Sequence, residues 1–265
     1  MAYDFPYGMR PASLAERKKF YLREFNEAEA RKAIGRHKFI MLDTGVHSGL
    51  FLKRFGKEKI VLKDFPNLKK TLLKYLPEDV YYDRGLYKDK EVCWTCYKNF
   101  HGCFKCPFDN FLGQQLAFDL DPENVDCPFC GSLEDKLKRH TMYSFCPFCF
   151  NEVRLDTIRV YEKLGGKGFK RMKIFYSGRG LHIVVDDEET AGMSVRERKE
   201  LVKELDDYLI DEWVTAGSMR MLRLPYSLHG LVTRVAKPVS KKELEAEDLL
   251  FSPAFIPKFI KLKSK

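Results

Sequence analysis

Two carboxylates one residue apart, Asp119 and Asp121, close the apolar run Leu116-Ala-Phe-Asp-Leu-Asp-Pro122. On a strand, side chains alternate between faces, so both acids point one way while Phe118 and Leu120 enter the core. Paired acids at a strand end suit hard divalent cations such as magnesium or manganese, which take oxygen ligands and leave positions open for phosphate. The D-x-D pattern alone also describes an ordinary strand exit, which Pro122 would end. What sets this one apart is its neighbourhood: cysteine pairs stand on either side of it.

Eight cysteines form four C-x-x-C pairs, Cys93/Cys96 and Cys103/Cys106 before the acids, Cys127/Cys130 and Cys146/Cys149 after them. In a reducing compartment such pairs read as metal ligands, because disulfides would not persist there. Fifteen residues separate Cys130 from Cys146, a zinc-ribbon spacing, and six separate Cys96 from Cys103. Each set of four sulfurs can close around one zinc, or the pairs can interleave between two sites. A four-sulfur zinc is coordinatively closed, so it would hold a module together and would not activate water.

Further along, Ser177-Gly-Arg-Gly180 joins two strand-like runs and is followed by Leu181-His-Ile-Val-Val185. Alternation sends His182 away from Leu181 and Ile183, beside Ser177 and Arg179 of the turn. Glycines around Arg179 let backbone approach a ligand, and serine, arginine and histidine supply donors suited to phosphate. A plain turn with a satisfied histidine is the competing reading. After Gly217, the run Met219-Arg-Met-Leu-Arg-Leu-Pro225 reads as a strand, and Arg220, Arg223, His229 and Arg234 are possible anion ligands near its end.

The elements that must position these groups are legible in part. A capping box from Ser13 to Glu16 opens a helix expected over roughly 14–34. Short strands are expected near 38–41 and 59–62, a basic helix near 68–76 and an aromatic strand near 80–87. A helix runs from Asn151 to Gly165-Gly166. Another follows the Ser194 to Glu197 capping box, with Leu201, Val202, Leu205, Tyr208, Leu209 and Trp213 as its apolar face. From Ser240 the chain is Pro-broken and Lys-rich, read as a docking or surface segment. The 265 residues suffice for one large domain or a core with an inserted module. Forty-seven basic against 38 acidic residues leave +9, a balance that suits a polyanionic partner. No apolar run approaches a membrane span and the N-terminus lacks a signal pattern, so a cytoplasmic protein is expected.

Taken together and in order, Leu116-Ala-Phe-Asp-Leu-Asp121, Ser177-Gly-Arg-Gly-Leu-His182 and Arg220-Met-Leu-Arg-Leu-Pro-Tyr-Ser-Leu-His229 resemble the catalytic small subunit of archaeal and eukaryotic DNA primases. Glu16-Arg-Lys-Lys-Phe-Tyr21 is similar to that family's opening helix, and Cys146-Pro-Phe-Cys149 sits where its zinc module ends. The resemblance implies an α+β fold: an RRM-like, mostly antiparallel catalytic core with an inserted zinc-binding module. It divides the chain into a core of 1–92, 107–126 and 150–239, zinc-binding segments 93–106 and 127–149, and a basic C-terminal tail 240–265. The implied activity is primase-type nucleotidyl transfer, making short RNA or DNA primers from nucleotide triphosphates on single-stranded DNA by two-metal phosphoryl transfer. A primase large subunit is a candidate partner.

Carried over by position, Asp119 and Asp121 are the catalytic acids that bind magnesium or manganese. Ser177, Arg179, His182, Arg223 and His229 contact the nucleotide. Structural zinc, two ions in all, would be held by Cys93, Cys96, Cys103, Cys106, Cys127, Cys130, Cys146 and Cys149. Two positions depart from the family. Its third metal-binding aspartate falls three residues before Arg220, where this chain has Gly217; Asp211 or Glu212 would have to replace it. The basic residue after the S-L-H element is here Leu231, with Arg234 nearby. The Cys93 to Cys106 set is additional to the simplest family pattern. A missing acid favours an alternative reading: a catalytically impaired primase-like accessory protein that binds nucleotide or nucleic acid.

Overall fold

The acidic run forms the edge of a four-stranded sheet. The computed structural model describes residues 3–45, 54–55, 58–59, 64–88, 111–205, 207–217 and 220–259. Its strands are β1 (Ile40–Asp43), β2 (Arg54–Phe55), β3 (Glu58–Lys59), β4 (Asp79–Asp83), β5 (Gly85–Tyr87), β6 (Phe111–Gln114), β7 (Leu116–Leu120), β8 (Met172–Tyr176), β9 (Leu181–Val185), β10 (Met221–Arg223), β11 (Leu228–His229), β12 (Arg234–Val235) and β13 (Lys237–Val239). One sheet runs β13-β8-β9-β7 and a second β1-β4-β10, with smaller pairs β2-β3, β5-β6 and β11-β12. Every described strand pairing is antiparallel. With the helices, this is the α+β class expected.

Alternation builds two cores from one sheet. Leu116, Phe118 and Leu120 of β7, with Leu181, Ile183 and Val185 of β9, pack on Phe150, Val153, Val160 and Leu164 of the helix Pro147–Gly166. The opposite face carries Ala117, Val184 and Phe175 into a second core with Ile40, Leu42, Val80 and Leu222. Each large apolar side chain buried this way contributes about 1.5–3 kcal/mol relative to exposure. That burial fixes register, since a one-residue slip would exchange the two faces of β7. Asp119 therefore stays opposite His182 in the β7–β9 ladder.

Several elements differ from expectation. The first helix is two, Leu14–Arg23 and Glu27–Ile34. Asn26 breaks the run because its side chain accepts from Glu29 N at 3.2 Å and starts a new helix. The aromatic strand is likewise split into β4 and β5. The helix expected from Asn151 begins at Pro147, which suits a first helical position. Trp213 does not belong to the helix that Ser194 caps; that helix ends at Lys203, and Trp213 lies 72% exposed on a separate turn, Glu212–Thr215, capped by Asp211. Of the two readings of the segment after Ser240, docking or surface, it docks: Leu244, Leu249, Leu250 and Phe255 are buried in the first core. Phe255 packs edge-on against Tyr176, ring centroids 4.8 Å apart. The expected strand at 59–62 lies mostly outside the described residues. No helix among the described residues is long and apolar enough to cross a membrane.

Candidate active site

The ends of β7 and β9 open beside β10 onto two adjoining cavities of about 120 Å³ and 240 Å³ that share Tyr81, Arg179, Arg223 and His229. The smaller one is also lined by Asp119, Asp121, Ser177 and His182. All seven residues expected at the acid and nucleotide sites thus border one space. A larger groove of about 670 Å³, lined by Lys19, Arg23, Tyr226 and Phe259 among others, contains none of them.

The turn Ser177–Gly180 owes its position to its glycines. Gly178 has φ +105°, and a Cβ there would stand 2.6 Å from His229 Cβ. At Gly180 a Cβ would come within 2.5 Å of Leu120 O and closer still to Asp121 Oδ1. The turn can therefore lie directly on the end of β7. Ser177 closes it, its hydroxyl accepting from Gly180 N at 3.0 Å. Tyr176 donates its hydroxyl to Gly178 O at 2.7 Å. So Ser177 lines the cavity while its oxygen is engaged by the turn.

Between the turn and β7 lies a chain of opposite charges. Arg179 Nη2 is 3.2 Å from Asp121 Oδ2, and its Nη1 is 2.5 Å from Glu123 Oε2. Its guanidinium also stacks 5.1 Å over the Tyr143 ring. His182 Nε2 stands 3.1 Å from Asp119 Oδ1. That oxygen is buried and has no aligned hydrogen bond among the described residues. Burial works to raise the Asp119 carboxyl, but His182, Arg179 and Arg84 outweigh it and hold it below the ordinary carboxylate value. Asp121 moves the other way: burial pushes it well above that value, with Asp119 and Glu123 adding to the effect against Arg179. The two acids, one residue apart, are therefore shifted in opposite directions, and an added cation would favour the charged form of both.

A second knot faces it. Asp79 of β4 takes Arg223 Nη1 in a short ion pair and has His229 Nδ1 at 3.2 Å. Arg223 also lies over the Tyr81 ring at 5.0 Å, as its position directly opposite Tyr81 in the β4–β10 ladder requires. Burial, with Arg223 adding and Asp79 opposing, brings His229 down to about 4. The sequence analysis did not identify Asp79, Tyr81, Glu123 or Tyr143. For Glu123 a signal existed in the continued alternation after Asp119 and Asp121; Asp79 gave none.

Other expected ligands stand elsewhere. Arg220 is buried with Asp83, Nε to Oδ1 3.6 Å, and lies over the Phe111 ring at 5.4 Å. Arg234 donates to Gly8 O at 3.1 Å and to Thr233 O at 3.2 Å. Neither lines the cavities, whereas Leu231 does. Gly217 has φ +93°, and a Cβ there would meet the Gln114 amide at 3.1 Å. Asp211 sits next to β7, donating its backbone N–H to Asp119 O at 2.8 Å.

The thiols of Cys127, Cys130, Cys146 and Cys149 lie within 4.8 Å of one another. Cys127–Cys146 and Cys146–Cys149 sulfurs are each 3.7 Å apart. A tetrahedral site with metal–sulfur bonds of ~2.3 Å has edges of ~3.8 Å, so the donor set fits zinc. Burial raises the Cys127 thiol, but the backbone N–H groups of Cys130 and Phe129 prevail and bring it to about 7. This set closes on itself without interleaving. Cys93, Cys96, Cys103 and Cys106 lie outside the described residues.

The antiparallel α+β core is similar in fold to a solved polymerase domain. The polymerase domain of Mycobacterium tuberculosis ligase D, solved in complex with DNA, matches it at a TM-score of 0.50 over 88% of this chain and 83% of that one, with 16% identity. In sequence the chain is 45% identical to an uncharacterised DNA primase small subunit-like protein of Archaeoglobus fulgidus, over 94% of this chain and 91% of that protein. It is 24% identical to the DNA primase small subunit PriS of Pyrobaculum islandicum, over 70% of this chain and 67% of that one. The chain belongs to the DNA primase small subunit-like family. No protein-family model matches it.

Proposed function

We propose that the protein is a primase-type nucleotidyltransferase that builds short primers from nucleotide triphosphates on single-stranded DNA. The observation that carries this reading is the single space bordered by Asp119 and Asp121 on one side and by Arg179, His182, Arg223 and His229 on the other. Magnesium or manganese bound at the two acids would stabilise charge on the attacking and leaving oxygens of phosphoryl transfer. Asp119 suits such a site, since one of its oxygens is buried without an aligned partner. Arg179 and Arg223, each already engaged with carboxylates, would exchange those partners for the phosphates of the incoming nucleotide. The turn brings Ser177 and Arg179 to the same space. Structural zinc at Cys127, Cys130, Cys146 and Cys149 would brace the start of helix Pro147–Gly166, which backs β7 and β9. The +9 charge suits contact with a phosphate backbone.

A second reading, a nucleotide-binding accessory protein without turnover, is favoured by Gly217, whose direction toward Gln114 brings no acid to the site. Incubation with a single-stranded template, labelled ribo- or deoxyribonucleotides and either magnesium or manganese separates the two. Short products are expected. Absence of product under every combination, with nucleotide still bound, would establish the accessory reading; absence of nucleotide binding as well would overturn both.

A further inference from the structure

We propose that Lys136, which lies in the segment between the two described cysteine pairs, is a positioning residue for the nucleotide pocket: its ammonium fixes the turn after Asp121 and, through that turn, the pairing of Glu123 with Arg179. The functional half of the inference rests on the nucleotide-binding reading above. Lys136 belongs to the short helix Leu133–Lys138 and is 0% exposed. Its Nζ donates to three backbone carbonyls, Pro122 O at 3.3 Å, Glu123 O at 3.5 Å and Val125 O at 3.5 Å. An ammonium carries three donors and no acceptor, so three oxygens match its capacity. Among the described residues Lys136 has no carboxylate partner. A buried charge in that position is costly unless its donors are taken, so the lysine depends on the turn as much as the turn depends on it.

The turn is the short 3-10 helix Pro122–Asn124, which begins directly after Asp121. The last carbonyls of so short a helix find no partner within it, and a lysine can take such oxygens. Its backbone bonds include Asn124 N to Asp121 O at 3.1 Å and a long one, Val125 N to Pro122 O at 3.4 Å. Glu123 is therefore held at its backbone by Lys136 and at its carboxylate by Arg179 Nη1, 2.5 Å away. Arg179 Nη2 in turn meets Asp121 at 3.2 Å. Lysine, turn, glutamate and arginine form a series that ends in the cavity. The other end of the series is anchored as well. Ser132 caps the Lys136 helix, its hydroxyl accepting from Asp135 N at 3.2 Å, Thr141 N donates to Lys136 O at 2.8 Å, and Arg139 donates to Cys130 O. Through Lys136 the segment between the cysteine pairs reaches the rim of the pocket. Without its ammonium, three carbonyls lose their donor, and the backbone that presents Glu123 to Arg179 is free to shift.

The test combines hydrogen–deuterium exchange with titration of a labelled nucleotide triphosphate, on the full chain. The variants are Lys136→Met, the milder Lys136→Gln, Glu123→Gln, each Lys136 change combined with Glu123→Gln, and Val160→Ala as a plain loss of core packing. Lys136→Met is expected to speed exchange at both 121–126 and 177–181 and to weaken triphosphate binding about tenfold, the lower end of what hydrogen bonds to a charged group contribute. Should that variant not fold, Lys136→Gln carries the same comparison. Val160→Ala is expected to leave 177–181 at wild-type exchange, which separates positioning from general destabilisation. In the Glu123→Gln background the Lys136 change should cost less than about twofold further, because residues that act through one another are not additive. Wild-type exchange at 177–181 in the folded Lys136 variant, or the same loss of affinity with and without Glu123, overturns the inference and leaves the pocket standing. No triphosphate binding by the wild type overturns the nucleotide reading instead, and exchange alone then decides whether Lys136 positions the turn.

Discussion

Arg179 carries two carboxylates at once, and that double duty defines what its replacement should do. Lysine keeps the charge but is a point donor and cannot bridge Asp121 and Glu123 as the planar guanidinium does. Hydrogen bonds to charged groups contribute about 1.5–3 kcal/mol, so Arg179→Lys is expected to weaken nucleotide triphosphate binding by one to two orders of magnitude, on that scale. Fluorescence titration with a labelled triphosphate checks this, and unchanged affinity would remove Arg179 from the pocket. Histidines set a second expectation. Burial brings His37 and His229 down to about 4, whereas an unfolded histidine titrates near ~6.5. Between those values the unfolded chain binds protons that the folded chain does not. Stability should therefore fall as pH drops from about 6.5 to about 4, by up to ~1.4 kcal/mol per pH unit for each histidine. Urea unfolding at several pH values measures the slope; His37→Phe should make it shallower, and an identical slope in that variant would refute the assignment. Single residues also mark the limit of sequence reading. Asp119, Asp121 and His182 were legible because alternation is local, while Asp79 was not, since its partner Arg223 is 144 positions away.

At the level of elements, the close fit of the Ser177 turn to β7 makes Gly180 its most sensitive point. Gly180→Ala would drive a methyl group into Leu120 O and Asp121 Oδ1, so the turn must lift from the strand end. The expected result is lost nucleotide affinity with much smaller loss of global stability, because the change is confined to a turn. Parallel titration and thermal unfolding tell the difference; a variant that binds normally would show that the turn does not need its contact with β7. The hairpin itself was evident from two alternating runs around Gly178 and Gly180. The second helix boundary at Asn26 and the displacement of Trp213 were not, for the same physical reason: a side chain that caps a new turn outweighs a periodic apolar pattern that would otherwise continue. Asp211 does so for Trp213, its Oδ1 accepting from Trp213 N at 2.8 Å.

For the molecule as a whole, the proposed metal at the cysteine cluster would brace the sheet that carries the acids. Cys149 and Phe150 share a helix with Val153 and Val160 of the first core, so a metal held by the cysteines would stabilise the same element as the core. A strong chelator is expected to release zinc and to lower the unfolding temperature, because a metal that binds only the folded chain adds its binding free energy to stability. Metal analysis before and after treatment, with calorimetry, checks the coupling; zinc release without a thermal shift would make the cluster a passenger. The overall class and order of blocks were readable because Asp119-Leu-Asp121, Ser177-Gly-Arg179 and Arg223-Leu-Pro225 keep their sequence order. The burial of residues beyond Ser240 was not, since a Lys-rich, Pro-broken stretch conceals its few anchors.

One of those anchors has a bearing on how the protein is made. Phe255 presses on Tyr176, and the Tyr176 hydroxyl holds Gly178 O of the Ser177–Gly180 turn. During synthesis the two glycines and Arg179 emerge from the ribosome long before Phe255 does. The turn is therefore translated early but braced late, and a nascent chain stalled near Ser240 would display the pocket's residues without the wedge that keeps them in place.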